Sequence, residues 1–294
     1  MRADTLAGRP LHAACRSVGL DPTGARQLRA HSASVYLLPG PGVVARISPR
    51  SADLCSARRA IEVTSWLASH SFPTVVPLSG VRQPVEEDGC VVTFWELVDV
   101  PTEAQKPGAE DLGRVLRHLH GMQAPPPVEL PPFRPLTGLA GKVNTAQSLD
   151  SDARAWLIDR IDHLLDAYAA LDSPLGQGHI HGDAYPGNLL GRHGSAVLGD
   201  WEETAWGPRE VDLANTYQGV RFGRSDAELD AFAKAYGHDL REWDGLPVLT
   251  AIRDLHTLAS YVTRADAGDA AAATELHKRV TSLRVLDGRL WTAA

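Results

Sequence analysis

The sequence is poor in cysteine and has no long apolar run. Its 294 residues include three cysteines, Cys15, Cys55 and Cys90, and none of them forms a C-x-x-C pair. This spacing disfavours a disulfide framework or a cysteine zinc site and predicts reduced thiols. No stretch approaches the ~20 apolar residues of a membrane helix, and the N-terminus lacks the apolar core of a signal peptide. We therefore expect a cytoplasmic protein with no membrane partner.

The sequence also lacks a basic stripe. Lys and Arg number 29 against 36 Asp and Glu, which gives a formal net charge of −7. Because nucleic-acid-binding proteins usually concentrate Lys and Arg on one face, we expect no nucleic-acid partner. The modest acidic surplus suits a cationic substrate, but plain solubility explains it equally well. The sequence leaves open whether the chain is a monomer or a homodimer.

The first hundred residues are predicted to form strands around one helix. Short apolar runs flank a Pro-Gly-Pro-Gly turn, and a stretch of helical periodicity follows them. These patterns predict strands within 26–38 and over 43–47, 75–81 and 90–97, with the helix inside 51–70.

The remainder is predicted to be mainly helical. A proline-rich connector covers 125–135, and a short β-like insert covers 178–200. Helices are expected over 109–122, after a cap at Asp150 or Ser151, and over 208–219, 226–236, 247–265 and 269–288. The order predicts an α+β fold with a small β-rich N-terminal lobe, 1–98, and a larger, mainly helical C-terminal lobe, 99–294.

The segment HGDAYPGNLLGRHGSAVLGDWE carries the most informative pattern. Asp183 precedes Asn188 by five residues, which is the D-x-x-x-x-N spacing of kinase catalytic loops. Asp200 follows at the end of an apolar run. Phosphoryl transfer needs a carboxylate beside the attacking hydroxyl and oxygen ligands for Mg²⁺. The segment therefore predicts phosphoryl-transfer chemistry.

Together, HGDAYPGN, LGDWE and GPREVDLA resemble the aminoglycoside phosphotransferase and choline kinase family, which has the protein-kinase-like fold. The resemblance implies a kinase that moves the γ-phosphate of ATP or GTP to a hydroxyl of a small molecule. In that case Asp183 is the base, and Asn188 and Asp200 hold Mg²⁺. His181 and Asp212 would support the catalytic loop. Residues 1–98 would bind the nucleotide, and 99–294 would bind the acceptor and carry out catalysis.

On the nucleotide side, the resemblance points to a cation and a hairpin. Arg46 in VVARIS stands where the family usually has lysine, and Glu62 is its expected partner on the following helix. Arginine presents a planar fork that can grip phosphate oxygens and a carboxylate together. The hairpin RAHSASVYLL has no glycine in its turn, so Ser32 and Ser34 are expected to donate hydrogen bonds to the phosphates of the nucleotide.

The resemblance also places the base of the nucleotide after the strand CVVTFWEL. The carbonyl of Glu96 and the N–H of Leu97 would meet the purine edge, and Phe94 would lie at the back of the pocket. The alternative is that Phe94 and Trp95 are ordinary core residues.

The acceptor stays open. An antibiotic of the aminoglycoside, macrolide or nucleoside type, and a metabolic alcohol such as choline, homoserine or a sugar, are both compatible with the sequence. Residues 205–294 mix acids and bases without an acidic cluster. Asp254 and His256 share one predicted helix, where a solvated face is expected and a place in a pocket is the alternative. Five aromatic residues are expected mostly in the core, with stacking on a substrate as the alternative: Trp206, Tyr217, Trp243, Tyr261 and Trp291.

Two other interpretations remain. A catalytically silent, nucleotide-binding relative is supported only by the unusual Arg46. A metallohydrolase is suggested by His179, His181 and Asp183, which would share one face of a strand. Ala184 stands where such a site usually has a further histidine.

Overall fold

The computed structural model describes residues 8–30, 33–40, 42–49, 54–98, 106–191, 193–285, 288 and 290–292. The chain forms two compact units that each combine several segments. Unit 1 comprises Met1–Asp111, Gly121–Leu130 and Pro186–Thr204, and unit 2 comprises Leu112–His120, Pro131–Tyr185 and Ala205–Ala294.

Unit 1 is built around a five-stranded antiparallel sheet. The described elements of this unit are α1 (Gly8–Ser17), β1 (Arg26–Ala30), β2 (Ser34–Leu38), β3 (Val43–Pro49), α2 (Leu54–Ser69), β4 (Val85–Glu87), β5 (Cys90–Glu96), β7 (Leu189–Leu190) and β8 (Val197–Leu198). The strands of the sheet follow the order β1-β2-β3-β5-β4. Along β3, Val43, Ala45 and Ile47 are buried and alternate with half-buried residues, so one face of the strand packs into the core.

One expectation for this unit is wrong, and one helix was not expected. Residues 75–81 form no strand, because prolines at 73 and 77 supply no N–H to a ladder, and only isolated bridges at Thr74 and Pro77 remain. Helix α1 was not predicted. Its buried residues Leu11 and Cys15 pack into the same apolar cluster as the sheet.

Unit 2 is mainly helical and encloses one two-stranded ribbon. The ribbon pairs β6 (Gln177–Ile180) with β9 (Ala205–Pro208) in antiparallel register. The helices are α3 (Ala109–Gly121, mostly in this unit), α4 (Thr137–Thr145), α5 (Ser151–Ala169), α6 (Glu210–Gln218), α7 (Asp226–Tyr236), α8 (Leu246–His256), α9 (Leu258–Asp266) and α10 (Ala270–Val285).

The helix boundaries follow local chemistry. Asp150 caps α5 by accepting the N–H of Ala153 at 2.7 Å, as the sequence predicted. Helix α4 was not predicted. The single helix expected over 247–265 is instead two, α8 and α9, which meet at Thr257, whose hydroxyl donates to the Asp254 carbonyl at 2.7 Å.

The predicted α+β class is confirmed by the sheet of unit 1 and the helices of unit 2. Among the described residues, the helices are too short or too polar to cross a lipid bilayer.

Candidate active site

The loop after β6 is held by a buried carboxylate. Asp212 on α6 is fully buried, and its two oxygens accept the backbone N–H groups of His181 at 2.7 Å and Gly182 at 2.8 Å. Gly182 has φ of 85°, which a residue with a side chain rarely adopts. The N–H of Asp183 then donates to Nδ1 of His181 at 3.2 Å. The loop therefore presents Asp183 from a fixed backbone.

Asp212 has further support from a histidine and a tyrosine. Nε2 of His120 lies 3.1 Å from the carboxylate, and Nδ1 of His120 is hydrogen-bonded to the hydroxyl of Tyr236 at 2.9 Å. Burial acts to raise the pKa of Asp212, but its interactions with His120 and His181 outweigh burial and hold the pKa below its usual range. His120 was not predicted as a site residue, since its place at the end of α3 carries no distinctive spacing.

Asp183 faces an arginine from α8. Nη2 of Arg253 lies 2.5 Å from Oδ1 of Asp183, and the two side chains are only 15% and 20% exposed. The guanidinium also lies over the ring of Tyr185, 5.9 Å from its centroid. No sequence pattern links Arg253 to the loop that carries Asp183, because packing of α8 brings the two together.

A cavity within unit 2 borders this pair. Its lining includes Gly182 and Arg253, together with Asn215 and His256. Burial, and then the charge of Arg253, lowers the pKa of His256 to about 4, so this imidazole is neutral at pH 7. The other lining residues are apolar: Phe133, Pro135, Leu136, Val211, Leu249 and Ile252.

The expected solvated face for Asp254 and His256 is wrong. Asp254 is buried, where it accepts Gln218 Nε2 at 2.7 Å and pairs with Arg221 at 3.2 Å. His256 lines the cavity instead. The aromatic residues divide as expected into mostly core positions: Tyr217, Tyr261 and Trp291 are buried, whereas Trp206 is 48% exposed.

The predicted metal ligands both belong to unit 1. Asn188 ends a 3₁₀ turn, Pro186–Asn188, and its carbonyl accepts the N–H of Gly199 at 2.9 Å across the β7–β8 hairpin. Asn188 and Asp200 therefore leave the hairpin at the same end. Asp200 has φ of 65°, in the left-handed region, and a 3₁₀ turn follows it over Trp201–Glu203.

Arg46 contacts the same end of the hairpin. Its Nη2 lies 2.9 Å from Oδ1 of Asp200, and its Nη1 pairs with Oε1 of Glu202. The expected pairing with Glu62 is not formed, because Glu62 lies exposed on α2 while the fork of Arg46 engages two nearer carboxylates. Glu202 was not predicted as a site residue, although its D-x-E spacing from Asp200 was a usable signal.

Oxygen donors at this end of the hairpin suit magnesium. Asn188 supplies an amide oxygen, and Asp200 and Glu202 supply carboxylates, which are the donors that Mg²⁺ prefers. Oε2 of Glu202 is buried without a hydrogen-bond partner among the described residues, so one oxygen has unused acceptor capacity. The residues present therefore fit the metal.

The other residues predicted to contact the nucleotide are Ser32, Ser34, Glu96 and Leu97. Ser34 lies on β2 opposite Ile47, and Ser32 lies outside the described residues. Glu96 ends β5 exposed, whereas the N–H of Leu97 donates to the carbonyl of Gly42 at 3.3 Å and is therefore not presented to a purine.

Phe94 has no exposed surface and packs in the sheet core of unit 1. This placement favours the alternative of an ordinary core residue over the back of a nucleotide pocket.

The geometry required for the metallohydrolase is not formed. Strand β6 ends at Ile180, so His181 and Asp183 do not alternate with His179 along one strand face. In the described part of the chain, no group of three or more His, Cys, Asp or Glu side chains could hold a metal ion.

The profile of the phosphotransferase enzyme family matches residues 25–248. The chain belongs to this family. No curated protein sequence matches the chain. Solved structures identify the fold of this phosphotransferase instead.

An amicoumacin kinase, hAmiN, in complex with AMP-PNP, Ca²⁺ and Ami superposes with a TM-score of 0.71 at 15% identity, covering 92% of this chain and 91% of its own. A choline/ethanolamine kinase family protein from Mesorhizobium loti gives 0.62 at 18% identity, with 93% and 94% covered. A spectinomycin phosphotransferase in complex with ADP and spectinomycin gives 0.64 at 15% identity, with 95% of each chain covered.

These likenesses confirm that this phosphotransferase has the predicted protein-kinase-like fold. The family match identifies the chain as a phosphotransferase.

Proposed function

We propose that the protein transfers the γ-phosphate of ATP or GTP to a hydroxyl of a small molecule, with Asp183 as the catalytic base. The observation that carries this proposal is the setting of Asp183. Asp212 fixes the backbone before it, and the neighbouring residue Gly182 lines the cavity of unit 2. A carboxylate held this way can orient an acceptor hydroxyl and take its proton.

The step is a direct displacement. The acceptor oxygen attacks the γ-phosphorus as its proton passes to Asp183, the bond from phosphorus to the β–γ bridging oxygen breaks, and the nucleoside diphosphate leaves. Asn188, Asp200 and Glu202 would hold Mg²⁺, which when bound neutralises charge on the phosphate oxygens. His181 and Asp212 do not touch the reacting atoms; they position the loop.

The relatives support an antibiotic as the acceptor, since two of them are an amicoumacin kinase and a spectinomycin phosphotransferase. A metabolic alcohol is the second candidate, because the structure also resembles a choline/ethanolamine kinase family protein. The pairing of Arg253 with Asp183 argues against a polycationic aminoglycoside, whose amines would meet a fixed positive charge beside the base.

The test is a transfer assay with the purified full chain. ATP or GTP is supplied with Mg²⁺ and a panel of hydroxylated antibiotics, amino alcohols, sugars and hydroxy acids. Acceptor-dependent release of nucleoside diphosphate and a phosphate ester in the product, detected by mass spectrometry, are expected. If nucleotide binds but no acceptor class is phosphorylated, the chain is the silent relative instead.

We expect Arg46→Ala to weaken binding of the Mg²⁺–nucleotide complex about 10- to 100-fold. This fold-change corresponds to the free energy that charge-assisted hydrogen bonds from a cation to phosphate oxygens contribute to binding. The variant also leaves Asp200 and Glu202 without their shared cation. Isothermal titration with a non-hydrolysable triphosphate measures the change.

Arg46→Lys keeps the charge and is expected to bind more tightly than Arg46→Ala. Arg58→Ala, which removes an exposed arginine on α2, serves as the matched control. Unchanged nucleotide affinity in Arg46→Ala would contradict the assignment.

A further inference from the structure

The charges beside the catalytic base are mostly positive. Among the described residues that line the cavity, Arg253 and His256 are ionisable, and His256 is neutral at pH 7 because burial and Arg253 lower its pKa to about 4. Lys142 on α4 lies near enough to act on His256 as well, and its Nζ donates to the carbonyl of Ala259 at 3.4 Å. The carboxylate of Asp183 acts on His256 in the opposite direction.

Arg253 is largely buried and needs an anion. Its side chain is 15% exposed and pairs with Asp183 at 2.5 Å. A buried cation that loses its partner is strongly destabilised, so the pairing must be replaced when it breaks. Transfer breaks it, because Asp183 becomes neutral when it accepts the proton of the acceptor hydroxyl.

An anionic group on the acceptor would pair with Arg253 after Asp183 has become neutral. The guanidinium has five N–H donors in a planar fork, which matches the two oxygens of a carboxylate. The ring of Tyr185 holds the fork on one side. A carboxylate near the hydroxyl would pair with Arg253 while the hydroxyl engages Asp183.

We propose that Arg253 is a specificity-determining residue that binds a carboxylate of the acceptor, so that the acceptor, whether an antibiotic or a metabolic alcohol, is a hydroxy acid. The inference rests on the proposed function, since it names the acceptor of the same site. The cavity favours an acceptor with an apolar part between or beside its hydroxyl and its carboxylate, because the lining includes Phe133, Leu136, Leu249 and Ile252. An amine in the same place would face Arg253 and Lys142.

The experiment uses matched acceptors that differ only in charge. Hydroxy acids with apolar bodies, such as mandelate and 3-hydroxybutyrate, are compared with their primary amides and with amino alcohols of similar size. Both binding, by isothermal titration, and transfer, by release of nucleoside diphosphate, are measured for each compound. We expect the acids to exceed their amides about 10- to 100-fold in affinity and in kcat/KM, as charge-assisted pairs require.

Variants at Arg253 separate this role from others. In Arg253→Gln the preference for acids over amides is expected to fall below about threefold, mainly through KM, and Arg253→Lys is expected to restore part of it. Arg284→Gln, at an exposed position on α10, is the matched control. Thermal unfolding of each variant shows whether the site still folds.

Three outcomes would overturn the inference. The wild type could prefer amides or amines, or bind none of the acids more tightly than its amide. Arg253→Gln could instead lower kcat equally for every acceptor, which would assign Arg253 to the transferring phosphate. Failure of the proposed function is distinct: acids would bind selectively, but no compound would be phosphorylated in an Asp183-dependent reaction.

Discussion

Replacing Asp183 by Asn is expected to lower kcat for transfer about 100- to 10,000-fold, which is the contribution of a positioned general base. The amide keeps the size of the side chain but cannot take the proton of the acceptor hydroxyl. Nucleotide affinity should change little, since the predicted nucleotide contacts belong to Arg46 and the β7–β8 hairpin rather than to Asp183.

Release of nucleoside diphosphate under saturating substrates measures this effect. Asp183→Asn also leaves Arg253 without its carboxylate, so its unfolding temperature must be recorded beside its activity. Asp162→Asn, which neutralises an exposed carboxylate on α5, provides the charge-matched control. Full transferase activity in a folded Asp183→Asn variant would refute the role of Asp183.

Asp212→Ala is expected to destabilise the protein by about 3–5 kcal/mol and to abolish most transfer activity. The substitution leaves two buried backbone N–H groups and the facing nitrogen of His120 without their acceptor. Loss of the anionic partner in a buried polar cluster has a cost of this order. Activity falls as well because the backbone of His181 and Gly182 no longer fixes Asp183.

Urea unfolding monitored by tryptophan fluorescence measures the free energy. Asp212→Asn retains one acceptor oxygen but turns a donor toward the second N–H, so it should fall between the wild type and Asp212→Ala. Asp162→Ala on the exposed face of α5 should change the unfolding free energy by less than about 0.5 kcal/mol. Equal stability of Asp212→Ala and the wild type would exclude the anchoring role.

The site residues that the sequence predicted lie close together in one short segment of the chain. Asp183, Asn188 and Asp200 follow one another within a loop and a hairpin, so their spacing alone identifies the chemistry. Asp212 was reached in the same way, from the GPREVDLA continuation. Their roles as base, metal ligands and anchor stay predictions until the variants are measured.

Other features depend on packing that spacing does not encode. Arg253 reaches Asp183 only because α8 packs against α6, and Arg46 selects Asp200 and Glu202 over Glu62. The extended segment after α2 follows the apolar pattern of a strand, but its prolines limit it to isolated bridges. The fold class was predictable because alternation in β3 and helical periodicity in α5 are strong local signals.

The left-handed backbone of Asp200 has an evolutionary consequence. At φ of 65° a glycine would be relaxed, whereas an aspartate costs on the order of 1 kcal/mol. Selection for stability alone would therefore favour Asp200→Gly, which deletes a predicted magnesium ligand. A thermostable library screened only for folding should accumulate inactive members at this position, so stability and catalysis must be selected together.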